Sequence, residues 1–181
     1  MARQIALLRG VNLGAHNRVT MADLRAALSN AGFGDVVTHL QSGNVVLDSD
    51  LPAGELAPAI ERVLADRLTL RTDVMVRSAP ELAAAIDADP FGTVATDPSR
   101  HVLGFLAAAP DPERLADLER RIAERPGDGD AHAFAGLHFY LWCPNGISRS
   151  PYFTLPWDRL GVNCTQRNWN TVTALLAKAG N

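Results

Sequence analysis

Residues 35–49 read DVVTHLQSGNVVLDS. Two runs rich in β-branched residues, DVVTHLQ and NVVLDS, flank Ser42-Gly43, which is the pattern of a short hairpin. What stands on either side of that hairpin decides the fold. Upstream, QIALLR (4–9) is an apolar strand, and MADLRAALSNAGF then repeats Met21, Leu24, Leu28 and Ala31 at helical spacing. Thr20 is the expected N-cap, with Asp23 three residues on, and Gly32 the stop. Downstream, ELAPAIERVLADRL puts Leu56, Ile60, Val63, Leu64 and Leu68 on one side of a second helix, and TDVMVRS closes with a strand. The order is β-α-β-β-α-β, the split βαβ of ferredoxin-like folds.

A short helical segment, APELAAAIDAD, leads into a second pass. HVLGFLAAA is a strand and PERLADLERRIAER an amphipathic helix with charge pairs three and four residues apart. PGDGD is a turn, AHAFAG and LHFYLWC are strands, and PNGISRSPYFTLPWDRLG is irregular with at most a short helix. NCTQR is a strand, and NTVTALLAKAG is the final helix. The expected fold class is α+β: two ferredoxin-like (βαββαβ) halves packed together, with an extra C-terminal helix. Residues 1–80 form one subdomain, 81–100 a linker with a short helix, and 101–181 the second subdomain with the C-terminal helix. The duplication rests on the order of elements, since the two halves share little sequence identity.

A chain of 181 residues with 47% hydrophobic and 20% charged residues is long enough to build a core without metals or disulfides. Its net charge of -3 argues against nucleic acid as a partner. It shows neither a signal peptide nor an apolar run of membrane-spanning length. Cys143 and Cys164 form no CxxC pattern. The expectation is a reduced, cytoplasmic protein, monomer or homodimer, with no cofactor and no metal.

Three polar stretches stand out. RGVNLGAHNRVT (9–20) is longer than the usual strand-to-helix connection and carries Arg9, Asn12, His16, Asn17 and Arg18 around two glycines. Backbone N–H groups at a helix start with Arg nearby suit an anion; alternatively, the glycines permit sharp turns and the amides tie the loop down. QSGN (41–44) places Ser42 and Asn44 at the hairpin, where both also serve a turn by bonding nearby backbone. RNWNTV (167–172) packs Arg167, Asn168, Trp169, Asn170 and Thr171 together. Asn168 or Asn170 can cap the last helix. If Asn170 does, Trp169 staples over Ala174. One cap leaves the other polar groups open to recognition.

In LHFYLWC, Leu137, Phe139, Leu141 and Cys143 face one way, and His138, Tyr140 and Trp142 the other. The second set is a stacking platform if exposed and core if covered; an acidic chain without an RNA-binding pattern favours core. His132 and His138 lack partners at zinc-ligand spacing. Cys164 reads as a small buried residue in preference to a thiolate.

Taken together, ALLRGVNLG with Asn17 and Met21, TxxQSGNVV (38–46), PNGISRS (144–150) and RNWNTV (167–172) resemble the uncharacterised family called domain of unknown function 1697, DUF1697. The resemblance implies two ferredoxin-like subdomains and no established activity, substrate or cofactor. The chain departs from the family pattern at Cys164 and Gln166, where Thr-rich residues are expected.

The split βαβ is read here with its first and third strands parallel. Arg9–Asn12 and Ser42–Gly43 then lie at opposite edges of one sheet, as do Gly146–Ser150 and Arg167–Asn170, so any shared site falls between the halves. The leading functional expectation is a small anionic ligand, a nucleotide or phosphometabolite, in such a cleft. Its ligand-binding residues would be Arg9, Asn12, Asn17, Ser42, Asn44, Arg149, Arg167, Asn168 and Asn170. One alternative is an enzyme with Arg and Asn stabilising an anionic substrate and His16, Ser150 or Cys164 in chemistry. The other is a structural or partner-binding protein whose motifs cap and join elements.

Overall fold

The computed structural model describes residues 1–14 and 17–180. It divides into two compact units, Met1–Ile86 with Thr173–Asn181, and Asp87–Val172. In the first, β1 (Ala2–Leu8) leads to α1 (Met21–Ser29), β2 (Gly34–His39), β3 (Asn44–Ser49), α2 (Ala53–Leu68), β4 (Val74–Ser78) and α3 (Ala79–Asp87). Its strands form one antiparallel sheet in the order β2-β3-β1-β4. Leu24 and Leu28 of α1 pack with Leu56, Ile60 and Leu64 of α2 on Ala6, Leu8, Val45, Leu47, Val74 and Val76 of the sheet. Each of those helical side chains is fully buried, worth about 1.5–3 kcal/mol apiece relative to exposure. Thr20 starts α1 as the sequence predicts: its Oγ1 accepts from Asp23 N at 3.0 Å and donates to Asp23 Oδ2 at 2.7 Å.

The second unit repeats the plan with β5 (His101–Leu106), α4 (Pro112–Ala123), β6 (Ala131–Ala135), β7 (His138–Trp142), β8 (Cys164–Asn168) and the start of α5 (Trp169–Ala179). Its sheet has the order β6-β7-β5-β8. Where the first unit has α2, this one has three short 3-10 turns, Ile147–Arg149, Pro151–Thr154 and Trp157–Leu160. Asp111 caps α4 through Oδ1, which accepts from Glu113 N and Arg114 N, with Pro112 at the first helical position. Phe139, Leu141, Cys143 and Cys164 join Leu118 and Ile122 in its core. Tyr140, in the other register of β7, is 1% exposed and offers no stacking surface. The fold is α+β, with two four-stranded antiparallel sheets. Among the described residues, no helix is long and apolar enough to cross a membrane.

One topological expectation is corrected. The first and third strands are antiparallel neighbours: Leu7 pairs with Asn44, and Leu8 N donates to Gly43 O at 2.9 Å. The hairpin turns β3 back between β1 and β2, which brings the end of β1 against the turn before β3. In the second unit, β7 and β8 both run antiparallel to β5, pairing His101 with Trp142 and Val102 with Asn168. The stretches that follow β7 and β8 therefore start from the same end of the sheet, and in the first unit the loop and the hairpin turn meet through the Asn12–Gln41 hydrogen bond.

A Cβ built on Gly104 of β5 would stand 2.1 Å from Phe139 Cζ. Gly104→Ala is expected to destabilise the protein by about 1–3 kcal/mol through overpacking, and Phe139→Leu to recover part of that loss; urea unfolding of the single and double variants measures both.

Candidate functional site

The β1–α1 loop changes hand repeatedly. Gly10, Asn12, Gly14 and Asn17 have φ of 64°, 57°, 70° and 51°. A Cβ on Gly10 or Gly14 would meet nothing within 4 Å, so conformation and not space selects glycine there. Asn12 fixes the loop. Its Nδ2 donates to Val19 O at 3.0 Å and to Gln41 O at 2.6 Å, and its Oδ1 accepts from Val19 N at 2.9 Å. Asn12 N donates to Asn17 O at 3.0 Å. One carboxamide thus closes the loop on itself and ties it to the hairpin turn. Asn44 braces that turn from inside, donating to His39 O at 2.9 Å and Ser42 Oγ at 3.0 Å.

Beside this junction lies a cleft of ≈ 770 Å³ lined by Asn12, Arg18, Val19, Met21, Arg25, Gln41 and Leu68, among others. Met21 and Ala22 open α1, and the N–H groups of a first helical turn have no partner within their own helix. Arg18 Nε donates to Gly14 O at 3.0 Å, and Arg25 donates through one nitrogen to Thr38 Oγ1 at 2.6 Å. Among the described residues no carboxylate pairs with either guanidinium. Asp23 also lines the cleft, so its charged side chains (two Arg, one Asp) sum to +1.

The predicted ligand residues distribute as follows. Arg9 pairs with Asp73 Oδ2 at 3.2 Å on the surface, where such pairs contribute little. Asn12 borders the cleft with its carboxamide engaged by backbone, and Asn17 is exposed on the same loop. Ser42 and Asn44 bond each other within the turn. Arg149 is exposed in a 3-10 turn of the second unit. Arg167 donates to Thr165 Oγ1 at 2.8 Å and Gln166 O at 2.7 Å, and burial draws its guanidinium down to about 10. Asn168 caps α5, its Oδ1 accepting from Thr171 N at 3.0 Å, and Asn170 is exposed. His16, named for the enzymatic alternative, lies outside the described residues. Ser150 is buried and caps a 3-10 turn through Tyr152 N at 3.1 Å; Cys164 is buried in the core. Burial also raises the Cys143 thiol to about 11, far from a thiolate at neutral pH. Among the described residues no group of three or more His, Cys, Asp or Glu could hold a metal.

Arg18, Arg25, Gln41 and Leu68 carry the cleft beyond the predicted set. Arg18 stands in the quoted loop, and Arg25 lies one helical turn beyond Met21, but only the fold shows that both face one space.

The second unit holds a buried polar group that spacing does not reveal. His101, 2% exposed, stacks on Trp169 with ring centroids 4.0 Å apart and planes 8° apart. Trp142 and Phe91 meet the same imidazole edge-on. Its Nε2 lies 3.2 Å from Asp89 Oδ1, off the direction of a hydrogen bond. Burial lowers the His101 pKa and outweighs the opposing pull of Asp89; burial also lowers His132. A histidine held below its unfolded value of about 6.5 leaves the unfolded state to take the proton first. Stability at neutral pH is then lost as pH falls through that range. Thermal melts should show Tm falling from pH 7.5 to pH 5.0, with a shallower fall in His101→Gln.

A family model described as "Protein of unknown function (DUF1697)" matches residues 1–133. That span includes the loop, the hairpin and the cleft, and ends before PNGISRS and RNWNTV. No curated protein matches the chain. Among solved structures, the chain is similar to conserved bacterial protein SP0830 from Streptococcus pneumoniae, with a TM-score of 0.75 at 21% identity over 98% of both chains. At that identity the likeness concerns the fold.

Proposed function

The chain belongs to the DUF1697 family of proteins of unknown function, and on that premise we propose that this member is a cytoplasmic protein that binds a small anionic ligand in the cleft of its first half. Each half is in this reading a ferredoxin-like unit. One observation carries the proposal: two arginines without a carboxylate partner among the described residues line the same cleft as the first turn of α1. Thr20 takes the Asp23 N–H, so the Met21 and Ala22 N–H groups and the forked guanidinium donors present what a phosphate or carboxylate accepts.

A comparison of the two halves supports it. In the second unit the chain passes from β5 to α4 in five residues, 107–111. In the first, the matching passage from β1 to α1 takes twelve, 9–20. The same topology closes with the shorter connection, so the added length, the left-handed Gly10, Asn12, Gly14 and Asn17 and the Asn12 latch are not demanded by the sheet. Long loops of this kind commonly serve binding.

RNWNTV is assigned a bracing role in the second unit on a different observation: Asn168 caps α5, Trp169 stacks on His101, and Trp169 N donates to Pro98 O at 3.0 Å. Asn168→Ala is expected to cost about 1 kcal/mol, measured by urea unfolding.

Isothermal titration with ADP and inorganic phosphate at low salt tests the binding site. Arg18→Ala and Arg25→Ala should each weaken binding at least about tenfold, consistent with loss of a charge-assisted hydrogen bond, while Tm stays level. Added salt should weaken binding in the native protein, since the donors are exposed. Absence of binding by the native protein, or binding that survives both substitutions, would overturn the proposal.

A further inference from the structure

The second sheet ends on one side in β6. That strand pairs with β7, and among the described residues no strand pairs with its other edge. Alternate residues of an antiparallel strand turn their backbone N–H and C=O away from the neighbour. The outer edge of β6 therefore presents donors and acceptors that a further strand can take.

The counterpart in the first sheet, β2, is blunted. Its register slips between Gly34 and Val37, and Asp35 has a φ of 32°. Arg3 holds the distorted stretch, donating to Asp35 O at 3.1 Å and pairing with Asp35 Oδ2 at 2.8 Å. A bulge and charged side chains at an edge discourage strand addition. β6 has neither. Its residues, AHAFA, pair with β7 in unbroken register from Ala131–Trp142 to Ala135–His138. None of them is charged or proline, and none is buried.

The pattern of the strand itself indicates what covers it. AHAFA alternates small and ring side chains symmetrically about Ala133. Laid antiparallel on a second copy with Ala133 at the centre, Ala131 faces Ala135 of the copy, and each His132 faces a Phe134. His132 and Phe134 share one face of the strand, their ring centroids 6.1 Å apart, and cross-strand aromatic pairs stabilise a sheet. The two Asp130 carboxylates stand at opposite ends of such a pairing, so the acidic turn before β6 brings no like charges together.

We infer that β6 is the interface of a twofold homodimer, in which two β6 edges pair antiparallel about Ala133 and join two four-stranded sheets into one. Twofold pairing uses both edges, which closes the assembly at two chains.

Sedimentation equilibrium of the native chain, 19.4 kDa, should give twice that mass in the micromolar range. Ala133→Glu and Ala133→Lys each set like charges directly opposite one another and should weaken association at least about tenfold. An equimolar mixture of the two should restore the dimer, since opposite charges then face each other. Mild oxidation of Ala133→Cys should link two chains, because cross-strand Cα spacing lies within a disulfide's reach and the native Cys143 and Cys164 are buried. Ala109→Cys, exposed beyond β5, should not cross-link. The cross-link reads the interface even where a charged variant folds poorly. A native chain that sediments as a monomer, a dimer that persists in both charged variants, a mixture of folded variants that stays monomeric, or no cross-link in Ala133→Cys would overturn the inference.

Discussion

The Asn12 carboxamide is the contact on which the first half's site depends. An amide side chain offers two donors and an acceptor in a fixed plane, and Asn12 directs all of them at backbone. Two ends of a twelve-residue loop are thereby closed against each other, and the closed loop is fastened to the hairpin. A left-handed residue is needed at that corner, and asparagine is among the few side chains that accept the conformation readily. Serine could not span three partners, and aspartate would bring like charge to two carbonyl oxygens. The loop's shape, and with it the position of Arg18 against α1, follows from this one group.

Antiparallel pairing of β1 with β3 supplies the rest of the geometry. Gly43 lies where a side chain would press on Leu8, its added Cβ 2.7 Å from Leu8 Cβ. The hairpin can therefore sit close against the end of β1. Close approach lets Gln41 O reach Asn12 and lets Thr38 of β2 receive Arg25 from α1.

The second half uses its polar residues differently. Arg167 turns to its own preceding carbonyl, as Arg77 does at the matching position of β4, each at 2.7 Å. The registers agree: Arg77 pairs with Ile5 and Arg167 with Leu103. This correspondence is stronger evidence of repeated architecture than the sequences of the two halves, which differ around it. Stacking of Trp169 on His101 has no counterpart among the described motif residues of the first half.

Hydrophobic periodicity by itself determined the elements. Strand and helix spacing in 4–78 and 101–180 is set by local burial, and local burial is legible residue by residue, as are the Thr20 cap and the buried Cys164. Strand direction was not legible, because a run of apolar residues looks the same whichever way its neighbour points. Reading β1 and β3 as parallel sent Asn12 and Ser42 to opposite edges and displaced the expected site. Only the tertiary structure decided which donors remain available. Asn12 and Asn168 look alike in sequence to any ligand-binding asparagine, and their backbone partners lie at separations from Thr171, three residues on, to Gln41, twenty-nine residues on. Arg18 and Arg25 came to share a cleft because a helix start, a hairpin and a closed loop met in space, and that meeting depends on long-range packing that no local pattern records.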